Sequence, residues 1–449
     1  MDTSDETTPT AVAPTPKQAG EAQGRWSWVE RSVWTERMLS RLDSNEPANR
    51  VWFSLVDKTY AIANLRSAWN KVSRNGGSAG VDRWTVERIA KQLEPELARL
   101  QDQLRSGNYR PQPVLRRYID KPGSREKRPL GIPVVRDRIV QGALRHVMEP
   151  IFEKEFAGHS YGFRPGRSAK QALRRVDGRL KRGHNWVVDA DLKGYFDTIP
   201  QSRLLELIRQ KVADGRMVAL VQSFLEAGVM EEGKGWTPTQ CGTPQGGAIS
   251  PLLANIYLNP LDHQMAAAGY EMVRYADDFV VLCRSEAEAR AALELIAAWV
   301  RSAGLTLHPE KTRTVDATQK GGFDFLGYHF ERSMRWPRKR SLEKLKQRLR
   351  ERIPRRSGRA TGEIIQQVNR TLRGWFNYFQ HSKSNVFGLV DGFVRRRLRN
   401  LMERRHGRCN GGYGMAQHRY PNAWFTKRGL VCLEAEHAFR RTIVALRTH

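Results

Sequence analysis

Apolar residues recur at helical spacing from about Val51 to Leu104, at Leu55, Tyr60, Leu65, Trp69 and Val72. Asn75-Gly-Gly-Ser-Ala-Gly-Val-Asp interrupts that pattern, and its glycines predict a loop before more helix. The Gly/Pro-punctuated stretch Lys121-Pro-Gly-Ser-Arg-Glu-Lys-Arg-Pro-Leu-Gly-Ile-Pro reads as a β-hairpin arm tipped with positive charge. Strand patterns return at Trp186-Val-Val-Asp-Ala-Asp and across Met272 to Leu282, with helical segments between and after them, so an α+β chain is expected. Beyond Arg332 the period becomes helical throughout: Leu342, Leu345, Leu349, Ile364, Ile365, Val368, Leu372, Trp375, Phe376 and Phe379 predict a helix bundle with an apolar seam and basic outer faces. Because Trp375, Tyr378 and Phe379 follow that seam, core packing is preferred over base stacking for them. Residues 1–24 have too few large apolar side chains to pack and are expected to be disordered, with order starting near Trp26.

Composition adds size and partner. A chain of 449 residues, 40% hydrophobic with 12 Trp, 12 Tyr and 16 Phe, can bury cores for two or three domains. Lysine and arginine total 76 against 47 aspartate and glutamate, a formal charge of +29, which points to a polyanionic partner such as nucleic acid. That excess is local: residues 331–428 hold 26 Lys/Arg and 6 Asp/Glu, a balance of +20. Four cysteines with no Cys-x-x-Cys pair indicate neither a zinc module nor a disulfide framework, and suit a cytoplasmic protein. No apolar run approaches the roughly 18 residues a membrane span needs.

Candidate chemistry sits at the strand patterns. Tyr275-Ala-Asp-Asp lies between two apolar runs, which puts Asp277 and Asp278 at a hairpin tip. Adjacent carboxylates repel, and either solvation or a hard divalent cation tolerates them. Asp189-Ala-Asp191 ends another apolar strand, where a carboxylate either caps the helix beginning near Gly194 or joins a metal site. Taken together, the two carboxylate sites suit two metal ions on an attacking hydroxyl and a leaving pyrophosphate. Between them, Gly242-Thr-Pro-Gln-Gly-Gly feeds an apolar helix, as a close backbone approach to a base pair or a generic loop would.

These segments together resemble the reverse transcriptases encoded by group II introns, from about Gly24 onward. The resemblance is carried by Arg128-Pro-Leu-Gly-Ile-Pro, Tyr161-Gly-Phe-Arg-Pro-Gly-Arg-Ser, Asp191-Leu-Lys-Gly-Tyr-Phe-Asp, Thr243-Pro-Gln-Gly, Tyr275-Ala-Asp-Asp, Leu305-Thr-Leu-His-Pro-Glu-Lys-Thr and Phe325-Leu-Gly, in the family's order. Leu372-Arg-Gly-Trp-Phe-Asn-Tyr-Phe resembles the thumb, or maturase, domain. The resemblance implies a right-hand polymerase with an antiparallel palm sheet, followed by an α-helical thumb. Its expected boundaries are 25–332 for fingers and palm, 333–403 for the thumb, and 404–449 for a short basic extension that is a candidate DNA-binding element. No endonuclease module with paired cysteines follows, which resembles the endonuclease-lacking branch.

The same resemblance implies residue roles. Asp191 and Asp277 would be the principal ligands of two Mg²⁺ ions, with Asp278 a weaker electrostatic partner; Asp189 shares a strand face with Asp191, but only Asp191 has the family's spacing to Phe196-Asp197. Phe196 would exclude a ribose 2′-hydroxyl, and Gln245 would pack at the nascent base pair. Lys121 and Arg128 would clamp the incoming dNTP, with Lys311 near the leaving pyrophosphate. Arg348, Arg352, Arg355 and Arg356 would contact RNA. The implied partners are an intron RNA, an RNA template with a DNA primer, target DNA and dNTPs, with no membrane. The implied function is RNA-directed DNA polymerisation with splicing assistance and target-primed retromobility. The alternatives are a host-adopted enzyme of repair or defence, and a splicing-only maturase.

Overall fold

In the computed structural model the described residues are 24–44, 51–120, 127–408 and 411–447. Lys121 and nearly all of the N-terminal stretch expected to be disordered lie outside them, as does the side chain of Arg128.

The central element is an antiparallel sheet in the order β6-β7-β3-β8, built from β3 (Trp186–Asp191), β6 (Glu271–Tyr275), β7 (Asp278–Cys283) and β8 (Arg313–Asp316). Successive strand residues point to opposite faces, and here both faces are covered. Val188, Ala190, Phe279 and Val281 enter one core, while Val187, Val273, Val280 and Leu282 enter another. This explains why the strands read as continuous apolar runs rather than alternating ones. On the first face lie the helices Val135–Glu155 and Ser250–Ala267, the latter apolar nearly all round and starting with Pro251 in its first turn. On the second lies the helix Ala169–Leu180, whose start is set by a capping box between Ser168 and Gln171.

A second sheet, β2-β1-β4-β5, forms the arm: β1 (Val114–Asp120) pairs antiparallel with β2 (Lys127–Ile132) and parallel with β4 (Val229–Glu231), which pairs with β5 (Gly235–Thr237). The expected hairpin is therefore present, extended by a parallel neighbour that its local sequence does not announce.

A third sheet, β9 (Phe323–Phe325), β10 (Tyr328–Glu331) and β11 (Met334–Pro337), leads into the helices Lys339–Arg352, Thr361–Phe379 and Asn385–Arg405. The expected boundary at 333 falls inside the β10–β11 hairpin, where Glu331 pairs with Met334, and helix begins at Lys339. Nor is 404–449 a separate extension. Tyr420, Phe425, Leu430 and Leu433 are buried in the same core as Leu345, Leu372 and Leu398, and Asp391 accepts from the backbone N–H groups of Leu433 (3.0 Å) and Glu434 (3.1 Å). The helical unit thus extends into the last helix, Leu433–Arg447, whose Leu433 is buried in that core and whose His437 ring lies 4.6 Å from that of Phe387. Trp375, Tyr378 and Phe379 join this unit to the third sheet: the Tyr328 hydroxyl donates to Tyr378 O (2.6 Å) and the Tyr378 hydroxyl to Leu326 O (2.8 Å). Their spacing along the seam does mean packing. Among the described residues no helix is long and apolar enough to cross a membrane.

Candidate polymerase site

β6 and β7 are joined by the two-residue turn Ala276-Asp277, with Ala276 at φ +63°. Asp278 is thus the first residue of β7 rather than part of the tip, and it lies directly opposite Asp191, the last residue of β3. Directly opposed residues of an antiparallel pair share a face. Asp189, two residues earlier on β3, shares it too.

A turn with a positive φ at alanine needs support, and Arg274 supplies it. This guanidinium is fully buried in a strand of apolar neighbours. It donates to Asp262 (Nε to Oδ1 2.8 Å), to Asn255 Oδ1 (2.9 Å) and to the carbonyl of Ala276 (2.8 Å). Asn255 in turn donates to Gly162 O (2.8 Å), and a Cβ on Gly162 would overlap the backbone nitrogen of Ala276. The Tyr161-Gly-Phe-Arg segment is therefore a buttress beneath the Tyr275-Ala-Asp-Asp turn. Sequence reading passed over Arg274, although a cation within a buried strand must be paired; its partners lie on the preceding helix and cannot be read from the strand itself.

The carboxylates crowd one another. Burial pushes Asp278 up to about 7, with the charges of Asp189, Asp277 and Asp191 adding to it. Burial likewise pushes Asp189 up to about 6 against the opposing pull of Arg313, whose Nε lies 3.5 Å from Asp189 Oδ2. Asp189 therefore faces Arg313 and does not cap the helix after Gly194, whose N-cap makes no side-chain bond. Among the described residues no three acidic, His or Cys side chains already converge as a metal cage. Asp191 Oδ2 instead accepts from Lys311 Nζ at 2.6 Å. A crowded set of carboxylate oxygens still suits a hard divalent cation, which takes one or two carboxylates and completes its shell with waters and substrate phosphate.

Gln245 and Phe196 stand nearby on a different scaffold. The Gly242–Gly247 loop is threaded against the short helix Tyr195–Thr198 and the arm: Thr243 N donates to Phe196 O (2.7 Å) and Gly131 N to Gln245 O (2.7 Å). Gly242 (φ +84°) and Gly246 (φ +119°) lie so close to Asp197 and to the Gly131 carbonyl that neither place has room for a Cβ. A cavity of about 330 Å³ opens here, lined by Arg116, Gly131, Asp197, Cys241 and Gln245. Phe196 is half-buried against Tyr195, with ring centroids 5.5 Å apart. Arg116, which sequence reading did not single out, lies on β1 and enters this cavity because its strand pairs with β4.

The four arginines divide. Arg348 and Arg352 line a cavity of about 660 Å³ together with Arg370 and Trp375, whereas Arg355 and Arg356 are exposed in the turn that follows the helix.

Residues 119–330 match the reverse transcriptase (RNA-dependent DNA polymerase) family, and residues 342–420 match the group II intron maturase-specific domain. Protein YkfC of Escherichia coli K12 is 35% identical over 58% of this chain and 77% of that protein. The group II intron-encoded protein LtrA of Lactococcus lactis is 45% identical over 38% of this chain and 28% of that protein. A solved telomerase from Candida albicans covers 71% of this chain and 64% of its own at 12% identity, with a TM-score of 0.40. With a polymerase segment followed by a maturase segment, the chain belongs to the group II intron-encoded reverse transcriptase and maturase family, an RNA-directed DNA polymerase domain ahead of an RNA-binding helical one.

Proposed function

We propose that this protein extends a DNA primer on an RNA template from dNTPs at the end of β3 and the β6–β7 turn, and that its helical unit holds an intron RNA for splicing. The observation that carries the first half is the opposition of Asp191 and Asp278 on paired strands with Asp277 in the adjoining turn. Asp191 and Asp277 would hold two Mg²⁺ ions, with Asp278 as electrostatic partner. Bound there, the ions supply the charge that activates a 3′-hydroxyl and stabilises a leaving pyrophosphate.

The protein's own residues do the positioning. Lys311 neutralises Asp191, with its Nζ 2.6 Å from Oδ2, and the same ammonium would meet the leaving pyrophosphate. Gln245 closes on the nascent base pair, and Phe196 blocks a 2′-hydroxyl. Lys121, Arg128 and the rest of the arm bring positive charge over the triphosphate. On the thumb, Arg348, Arg352, Arg355 and Arg356 meet RNA phosphates. A target DNA would supply the primer end during retromobility, and cysteine usage favours the cytoplasm as the compartment.

The test is primer extension by purified protein on an RNA template with dNTPs and Mg²⁺. Asp277→Ala is expected to abolish extension while leaving the fold intact by circular dichroism. Wild-type extension by that folded variant removes Asp277 from the metal site.

A further inference from the structure

A cavity of about 700 Å³ lies on the opposite side of the helix Lys339–Arg352 from Arg348, between the helix Asn385–Arg405 and the segment 412–422. Its size is within the roughly 300–1,000 Å³ of small-ligand sites. Lys346, Arg395, Arg396 and Arg399 line it, and among the described residues no Asp or Glu does. Arg399 is the informative member. It is 7% exposed, donates to Tyr420 O (2.8 Å) and Asn422 Oδ1 (2.6 Å), and makes no ion pair among the described residues. Burial and the neighbouring Arg395 hold its guanidinium below the usual arginine range. A nearby arginine of the same unit, Arg419, has its carboxylate in Glu403. The Arg399 guanidinium is held by two neutral oxygens with no countercharge among the described residues, which leaves its positive charge available to an anionic ligand.

Aromatic surface lies beside that charge. Lys346, Arg350 and Arg396 stand 5.9, 5.7 and 5.8 Å from the Phe393 ring centroid. Tyr413 is 54% exposed at the rim, with Arg396 5.3 Å from its centroid and bonded to its hydroxyl. Its loop is shaped for this position: Gly411, Gly412 and Gly414 all have positive φ, and a Cβ on Gly412 would overlap the Arg396 carbonyl. An open ring beside an unpaired basic pocket is the arrangement that takes a base by stacking and its phosphate by charge.

We propose that this cavity receives one unpaired nucleotide of a structured RNA, its base stacked on Tyr413 and its phosphate held by Arg395 and Arg399. The proposal rests on the maturase reading, since all of the lining except Pro421 and Asn422 falls within the matched residues 342–420. It names a site distinct from the surface of Arg348 and Arg352.

The experiment measures binding of the full chain to two RNA hairpins at one salt concentration, one fully paired and one carrying a single bulged 2-aminopurine. Tyr413→Leu is expected to weaken binding of the bulged hairpin about tenfold, as loss of a stacking partner does. It should abolish 2-aminopurine quenching, leave the paired hairpin and primer extension unchanged, and be rescued by Tyr413→Phe. Arg395→Gln should weaken the bulged hairpin selectively as well. Equal losses for both hairpins, no loss for either, or the same behaviour with a DNA hairpin of identical sequence overturns the proposal. The maturase reading fails separately: joint replacement of Arg348, Arg352, Arg355 and Arg356 would leave intron RNA binding untouched, whatever Tyr413→Leu does.

Discussion

Phe196 shows how little a side chain's surroundings say until its backbone is placed. The ring leans on Tyr195, as a core aromatic would, yet its carbonyl receives Thr243 N and so fixes the chain next to the Gln245 loop. If the ring is the sugar gate, Phe196→Ala leaves Asp191 and Asp277 untouched and opens space beside the 2′-carbon. We expect the ratio of ribonucleotide to deoxyribonucleotide incorporation to rise by about tenfold or more, the scale a pocket built on contact provides. Single-nucleotide kinetics with matched dNTP and rNTP decide it, and an unchanged ratio in an active variant returns Phe196 to the core. Arg274 acts one layer deeper. Arg274→Lys keeps the charge beside Asp262 but gives up the planar fork that reaches Asn255 and Ala276 together. Loss of turn geometry should lower kcat on the order of 100-fold, with dNTP KM little changed. Arg274→Met leaves Asp262 buried with only His159, whose Nε2 is 4.0 Å away, and should cost about 3–5 kcal/mol of stability in a denaturant titration.

Among the elements, the contact between the Gly242–Gly247 loop and β2 does the most to bring separate parts of the sequence together. The arm and the loop meet through a backbone hydrogen bond, Gly131 N on Gln245 O, in a space that excludes a Cβ. Gly246→Ala meets both a left-handed φ and the Gly131 carbonyl, so loop and arm must separate. We expect it to raise the dNTP KM several-fold and to leave RNA binding by the helical unit as it was. Steady-state kinetics beside an RNA-binding isotherm check both halves, and a wild-type KM shows that the loop yields without consequence. Of the helices that cover the central sheet, Ser250–Ala267 was legible as an apolar helix fed by the glycine-rich turn before it. The parallel pairing of β1 with β4 was not, because β4 is three residues long and its partner strand lies far earlier in the chain.

The whole molecule is electrically lopsided, with +20 of its +29 charge in residues 331–428. Each phosphate neutralised on binding releases counterions, so RNA affinity should fall steeply with salt. Joint replacement of Arg348, Arg352, Arg355 and Arg356 by Gln should flatten the plot of log affinity against log salt by about 3 units of slope if all four touch phosphate. Primer extension at saturating primer-template should persist, because none of the four approaches the carboxylates. An unchanged slope moves the RNA surface to the arm or to the N-terminal helices.

The sequence by itself determined the α+β class, the strand that ends at Asp191, the two strands that flank the Tyr275-Ala-Asp-Asp turn, the positively charged arm and the basic helical bundle. These are local properties: apolar period, charge runs and glycine-rich turns are written in consecutive residues. Tertiary structure decided what depends on distant neighbours. It set Asp191 opposite Asp278, gave Asp189 to Arg313 and Asp191 to Lys311, and made Arg274 the strut of the turn. It also folded Tyr420, Phe425, Leu430 and Leu433 into the thumb's core rather than leaving their segment as an extension, since an apolar seam must be covered by whichever part of the chain can reach it.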